Sequence, residues 1–291
     1  MEIFELRYFL AVARRENVSR AAEDVHVSAG SLSKAVTRLE RELGVTLFAR
    51  SGRGIRITAE GLLLKRRAAQ LVELEEDARF ELAGKDAGEL NIAVSSEEVL
   101  QAFYGVTLAQ RVGALFPAAR LQYLVAPEAR AAAQVLDGEA HLALMTSAPP
   151  SGTLRKLVAE VEFKTCCSPR HPLLRRGGPS RMVHVAEVLE HPFVAPDSAI
   201  LGRVSGSSSW DGWRDDKFPR RIKYRASGLT LMANLVRAGL ALGYLPDYFA
   251  ASAGLAALKV AGCPYSCRQT VHLVVKAPIT LGWLRRLWAS Y

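Results

Sequence analysis

Six polar side chains, Ser28, Ser31, Ser33, Lys34, Thr37 and Arg38, share the outward face of a helix that the sequence opens after Ser28 and runs to Leu43. That face is fixed by Leu32, Val36, Leu39 and Leu43, whose steps of four, three and four residues place them on one apolar stripe. A helix start already presents free backbone amides and the positive end of the dipole, so hydroxyls gathered there suit a phosphate. Lys34 and Arg38 lie about one turn apart, which lets one reach a base edge such as guanine while the other meets the sugar-phosphate backbone. The bland alternative is an amphipathic core helix with a merely solvated polar face. The following segment, ARSGRGIRIT, weighs against it, because it reads as two short strands about a Gly-containing turn carrying Arg50, Arg53 and Arg56. A basic loop tip fits a narrow minor groove, so Arg53 is the candidate for insertion and Arg50 for a phosphate contact.

A second set of polar residues sits where apolar strands end. Ser95 and Ser96 follow one strand, Thr146 and Ser147 another, Asp197 and Ser198 a third. Ser227 precedes a helix and Tyr244 lies in the strand-like ALGYLP. Ligands in α/β sheets gather beyond the carboxyl ends of strands, so these eight are candidates for a small-molecule cleft. Each hydroxyl alone also reads as a helix cap. Glu97 and Glu98 would place negative charge at the same helix start, which leaves a neutral or amine-bearing ligand open beside an anionic one.

The elements that must hold these groups follow from periodicity. Leu6, Phe9, Leu10 and Ala13 give a first helix an apolar face and leave Arg7, Arg14 and Arg15 for solvent or phosphate. Ser19 is placed to cap the next helix, whose Ala21, Ala22 and Val25 allow a close crossing. Val45, Leu47 and Phe48 anchor the chain after Gly44. From Thr58 to about Leu82 no proline interrupts a single long helix, and Leu64, Ala68, Leu71, Ala78 and Leu82 form a stripe broken by Glu75. A helix of that length needs a partner, either a second copy or its own chain's body. AGKDAGEL then marks a boundary, and beyond it strands at 90–94, 121–125, 142–145, 192–196, 241–245 and 271–276 alternate with helical patterns near 98–115, 127–137, 182–189 and 229–239. That order argues for α/β layers with mainly parallel strands.

Charge is distributed to match. Of the formal +9, residues 1–67 net +5, residues 68–87 net −4 and residues 88–291 net +8. A basic head, an acidic neck and a basic body suggest two uses of positive charge, although a solvated basic surface explains the body equally. Hydrophobic residues make up 49% of the 291 and charged residues 23%, a folded and not a disordered composition. No apolar run approaches the roughly 18 residues of a membrane span and the start MEIFEL is unlike a signal peptide, so the expected location is the cytoplasm.

The pattern of Leu6, Phe9, Ala13, Ser19, Ala21, Ala22, Ser33, Leu39, Glu40, Leu43, Gly44, Leu47, Phe48, Arg50, Thr58 and Gly61 resembles the LysR-type transcriptional regulators, and FPAARLQYLV, LDGEAHLALM, SPRHPLL and LVRAGLALGYLPDYF extend the resemblance over nearly the whole chain. It implies an α+β multidomain fold. Residues 1–57 would be a winged helix-turn-helix that places Ser33, Lys34 and the wing arginine at DNA, and 58–87 a linker helix that dimerises. Residues 88–291 would be an effector-binding domain of two α/β subdomains, similar to periplasmic binding proteins, with 88–163 plus 269–291 in the first and 164–268 in the second. The implied function is a promoter-binding regulator with no catalytic turnover. Its partners would be double-stranded DNA bearing an inverted repeat, a small-molecule effector, further copies as dimer or tetramer, and the transcription machinery, with no membrane and no cofactor. At the start of the DNA-reading helix the family commonly has Gln-Pro where this chain has Ala29 and Gly30, so base specificity does not carry over from relatives.

Two other readings compete. Cys166, Cys167, Cys263 and Cys267 lie near the crossings between the implied subdomains; buried reduced thiols are the expectation for them, and a redox-responsive regulator the alternative. His171 and His184 lack metal-ligand spacing. No phosphate-binding Gly loop, nucleophile elbow or zinc-hydrolase helix occurs, which leaves an enzyme without assignable parts. A solute-binding module without regulatory role would not explain the basic, capped head.

Overall fold

The computed structural model describes residues 1–52, 54–83, 90–175, 182–199 and 209–291. Three helices form the head: α1 (Ile3–Arg15), α2 (Val18–Asp24) and α3 (Ala29–Leu43). Asn17 caps α2 by accepting from the Arg20 amide at 3.0 Å, so the helix opens ahead of Ser19, which falls inside its first turn and does not cap it. Ser28 caps α3 by accepting from the Ser31 amide at 3.1 Å, and Gly44 ends it with a left-handed φ of 70°. Leu32, Val36 and Leu39 are buried under α3, but Leu43 and Val45 are exposed, because the chain turns away at Gly44 before their side chains meet the core. Strands β1 (Phe48–Ser51) and β2 (Gly54–Ile57) pair antiparallel and put the wing tip between Ser51 and Gly54.

Helix α4 (Ala59–Ala83) follows, its first turn fastened by Thr58, whose hydroxyl accepts from the Gly61 amide and donates to the Thr46 carbonyl. At Gly61 the wing comes so close that a Cβ would stand 2.4 Å from the Leu47 carbonyl oxygen and 2.6 Å from Ile57 Cγ1. The single stripe expected on α4 is divided. Leu64, Ala68 and Val72 pack into the head beside Leu6, Phe9, Leu39 and Leu47, whereas Leu71 and Leu82 are exposed, together with Leu63 and Leu74. A straight helix turns about 100° per residue, which centres the row of Leu64, Ala68 and Val72 roughly 90° from the row of Leu63, Leu71, Leu74 and Ala78, while Leu82 returns to the angle of Leu64 about five turns on and lies past the head. Two of the arginines left for solvent or phosphate are engaged: Arg7 pairs with Glu75 and Glu76 of α4 at 2.7 and 2.6 Å, and Arg15 with Asp24 at 2.6 Å.

The body comprises β3 (Asn91–Ser96), α5 (Glu98–Leu100) running through a π turn at Gln101–Gly105 into α6 (Val106–Leu115), β4 (Arg120–Val125), α7 (Glu128–Asp137), β5 (Leu142–Met145), β6 (Thr153–Cys167), α8 (Pro172–Arg175), β7 (Met182–His184), α9 (Val185–Leu189), β8 (Pro192–Pro196), β9 (Arg221–Ala226), α10 (Leu229–Arg237), β10 (Leu242–Pro246), α11 (Asp247–Ser252), β11 (Ala256–Ala257), β12 (Lys259–Ala261), β13 (Arg268–Lys276) and α12 (Gly282–Ala289). The main sheet runs β4-β3-β5-β13-β6-β10-β8-β9. Its two ends, β4-β3-β5 and β10-β8-β9, are parallel; β13 and β6 cross the middle antiparallel. The long β6 pairs with β13 along 153–162 and with β10 along 163–166, so one strand spans both halves. The pattern near 182–189 is a strand followed by a short helix and not one helix, because β7 pairs with β12. Toward the body α4 makes polar contacts. Lys65 pairs with Glu139 at 2.5 Å, and the Asp77 carboxylate accepts from the Gly282 and Trp283 amides that open α12. Between these contacts lies a cavity of about 230 Å³ lined in part by Glu73, Gly138, His141 and Lys276. Burial pushes the Glu73 carboxyl up to about 7 against the pull of Lys276.

Candidate nucleic-acid interface and ligand cleft

On the head, Ser28, Ser31, Ser33, Lys34, Thr37 and Arg38 are all exposed on the side of α3 opposite Leu32, Val36 and Leu39. Ser28 and Ser31 share a hydroxyl contact at 2.8 Å, so both are partly occupied in building the helix start. Lys34 has no hydrogen bond or ion pair with any described residue, which leaves its ammonium free for a phosphate. Arg38 differs. Its Nε donates at 2.5 Å to Glu5, a buried carboxylate of α1, and its guanidinium lies 5.9 Å from the Phe4 ring centroid. Burial raises the Glu5 carboxyl, but Arg38 and the Glu2 amide outweigh it and hold the group below its ordinary value. Arg38 therefore braces α3 against α1, a task its sequence position did not reveal. Arg50 is exposed on β1 and lines a shallow recess with Asn17, Val18 and Ser19, so wing and α2 meet at one basic edge. The Arg53 expectation lies outside the described residues.

In the body the eight cleft candidates separate into three groups. Thr146 and Ser147 are gathered by Glu128, whose carboxylate accepts from the Thr146 amide and hydroxyl at 2.5 and 2.7 Å and from the Ser147 amide at 3.1 Å. Asp197 joins the second half's candidates by accepting from Ser198 at 3.2 Å and Ser227 at 3.1 Å, all three exposed at the ends of β8 and β9. Ser95 and Tyr244 are corrections. Ser95 is buried and donates to Gln134 of α7 at 2.7 Å, because strand alternation turns it away from the side that Ser96 faces. Tyr244 is 5% exposed, packed against Phe163 and Trp213, and its hydroxyl accepts from the Cys267 amide at 2.9 Å; it belongs to the core. Ser96 is fully buried, and its hydroxyl has no hydrogen-bond partner among the described residues.

Sequence reasoning missed Glu128, Tyr104, Asp247 and Tyr248, although Glu128 opens a helix after a strand, the same signal that selected Ser95 and Ser96. The ring of Tyr248 on α11 lies 5.5 Å from that of Tyr104 and 4.3 Å from that of Phe103, which joins the two halves of the body across the strand ends. Burial raises Cys166 and Cys267 to about 12 and Cys167 to about 11. Thiols so placed hold little thiolate at neutral pH, which is the behaviour of inert core cysteines.

A bacterial regulatory helix-turn-helix model of the lysR family matches residues 3–62, and a LysR substrate-binding domain model matches 83–278. The chain is 33% identical over 108 residues to the HTH-type transcriptional regulator ClcR of Pseudomonas putida, a stretch that covers 37% of this chain and 35% of that relative, so about a third of that protein's length is spanned. The fold is that of the crystal structure of ArgP from Mycobacterium tuberculosis, with a TM-score of 0.66 at 21% identity over 98% of this chain and 94% of the other. Full-length CbnR in complex with its target DNA shares it, with a TM-score of 0.57 at 20% identity over 99% and 98% of the two chains.

Proposed function

We propose, because the chain belongs to the LysR family of bacterial helix-turn-helix regulators, that it binds promoter DNA through α3 and the wing and that a small molecule in the body changes how it does so. The observation that carries the reading is the outward face of α3, where Ser33, Lys34 and Thr37 stand exposed on a helix capped at Ser28 and braced to α1 by Arg38. A rigid helix with short side chains near its start suits the major groove, Arg50 on the wing suits the adjacent backbone, and the sequence position of Arg53 suits the minor groove.

Dimerisation follows from α4. Its exposed Leu63, Leu71 and Leu74 are uncovered by the described residues, and a second copy's α4 would supply a cover. Two heads on a two-fold axis then read an inverted repeat with more effective affinity than either alone, and dimers that pair further would form a tetramer. The body contributes the regulation: an effector that binds one arrangement of the two halves more tightly shifts the population toward it. This activity belongs in the cytoplasm; among the described residues no helix is long and apolar enough to cross a membrane.

The test is a mobility shift with the DNA upstream of the protein's own reading frame. Affinity should fall steeply with salt, and Lys34→Ala or Arg53→Ala should lower it across all sequences and reduce the log-log salt slope by about one each. A purified protein that ignored this DNA at low salt would sink the proposal.

A further inference from the structure

Three carboxylates of the body meet no cation among the described residues. Glu128 is buried, and the donors on it are all neutral: the Thr146 amide and hydroxyl and the Ser147 amide. Glu97, half-buried at the start of α5, has Glu128 as its charged neighbour, and the Glu128 backbone amide is the one group that favours its ionised form. Asp247 at the start of α11 accepts from the Tyr248 amide at 2.8 Å. No lysine or arginine pairs with any of the three among the described residues. Folded proteins pair their buried charges, so two adjoining carboxylates without a counterion describe a site that is electrostatically incomplete. The Glu97 carboxyl shows the strain: burial first, and then the charge of Glu128, push it up to about 7.

Two further observations point to the same place. Ser96, the residue before Glu97 at the carboxyl end of β3, is fully buried with an unpartnered hydroxyl. Tyr248 carries a buried hydroxyl that also lacks a partner, and the charges of Asp247 and Glu97 both bear on it. Its ring packs tilted against Phe103 and edge-on against Tyr104, so the acidic groups adjoin an aromatic wall built by both halves of the body. Aromatic faces attract cations, and orphaned hydroxyls accept hydrogen bonds from an ammonium or guanidinium as readily as they donate.

We infer that the effector of this chain is an organic cation with an apolar body, whose charged nitrogen lies between Glu97 and Glu128 and whose body lies against Tyr104 and Tyr248. The inference rests on the reading of the body as an effector-binding domain and names the ligand class for it. A carboxylate effector would meet Glu97 and Glu128 with like charge and would find no cation beside them among the described residues. An ammonium or guanidinium supplies the missing counterion on the first half, while the apolar body, lying against Tyr104 and Tyr248, reaches the second.

Three size-matched probes separate the outcomes: phenethylammonium, 2-phenylethanol and 3-phenylpropanoate, titrated calorimetrically into the full-length protein at pH 7.5. Phenethylammonium should bind with a Kd at least about tenfold below those of the alcohol and the acid. Glu97→Gln, which keeps an acceptor for the Glu128 amide, should erase that preference while leaving thermal unfolding unchanged or raised. Glu97→Lys, which installs an ammonium covalently beside Glu128, should abolish phenethylammonium binding and raise the Tm. Equal binding of all three probes, preference for the acid, or no binding of any would overturn the inference, as would undiminished amine preference in Glu97→Gln. A mobility shift on the same preparation keeps the two readings apart. Protein that shifts promoter DNA but does not prefer the amine loses only the ligand class, whereas protein that takes the amine and ignores DNA loses the regulator.

Discussion

Helix α4 meets its two neighbours by different physics. Toward the head it contributes Leu64, Ala68 and Val72 to a core shared with Leu6, Phe9, Leu39 and Leu47, closed at the edge by Arg7 on Glu75 and Glu76. Toward the body it offers Lys65 to Glu139, Asp77 to the amides of α12, and Glu73 to a cavity beside Lys276. Close-packed apolar contacts resist sliding, because every displacement opens a void. A single ion pair and a single cap, even when mostly covered as Lys65–Glu139 and Asp77 are, contribute less than a shared apolar core. Head and α4 therefore behave as one solid piece, and the joint between α4 and the body is where a change in the body can be relayed.

Three substitutions sharpen or break that contrast. Phe9→Ala, which empties the centre of the shared core, should lower stability by about 3–5 kcal/mol in urea unfolding and abolish DNA binding with it. A loss below about 1 kcal/mol would show that α4 does not share the core. Glu73→Gln tests the joint through pH. The unfolded carboxyl ionises near 4.5 and the folded one at about 7, so the native protein loses stability as pH rises between those values and no further above. Glu73→Gln lacks this loss and should exceed the wild type by up to about 3 kcal/mol at pH 8 and match it at pH 4; parallel pH profiles would refute the burial of that group. Asp77→Ala removes a cap and should cost about 1 kcal/mol. In a fluorescence-anisotropy titration its affinity for unliganded promoter DNA should stay within about twofold of wild type, and an effect as large as that of Phe9→Ala would mean that the joint is as rigid as the core.

What the sequence disclosed follows the same division. Elements governed by local chemistry were legible: α3 with its Ser28 cap and Gly44 stop, the hairpin with its glycine turn, and the strands Leu142–Met145 and Pro192–Pro196. Features decided by tertiary partners were not. Leu64 and Leu71 read as one stripe because spacing alone does not say which neighbour an apolar residue meets, and the head claimed one while solvent kept the other. Arg7, Arg15 and Arg38 read as free charge, although their partners Glu75, Glu76, Asp24 and Glu5 are specified only by the packing of α1. In the cleft, Ser95 and Tyr244 sat at plausible strand ends but face inward, while Tyr104 and Tyr248 come together only because β6 and β10 bring the second half alongside the first. Strand β6 itself escaped notice because its exposed and buried residues alternate irregularly over Thr153–Cys167, as befits a strand that serves two sheet ends.

The division of α4 into a head-facing row and an open row carries a consequence for how this chain can vary. The two rows are not consecutive; Leu63 precedes Leu64, and Leu71 adjoins Val72, so they wind along the same turns. One residue inserted or lost within that stretch rotates everything beyond it by about 100° and throws both rows out of phase together. The helix is thus no spacer of adjustable length. In a pair joined through the open row, the angle between the two copies of α3 would be set by rotational phase, and a change in it would have to come from how two helices cross, not from how long each one is.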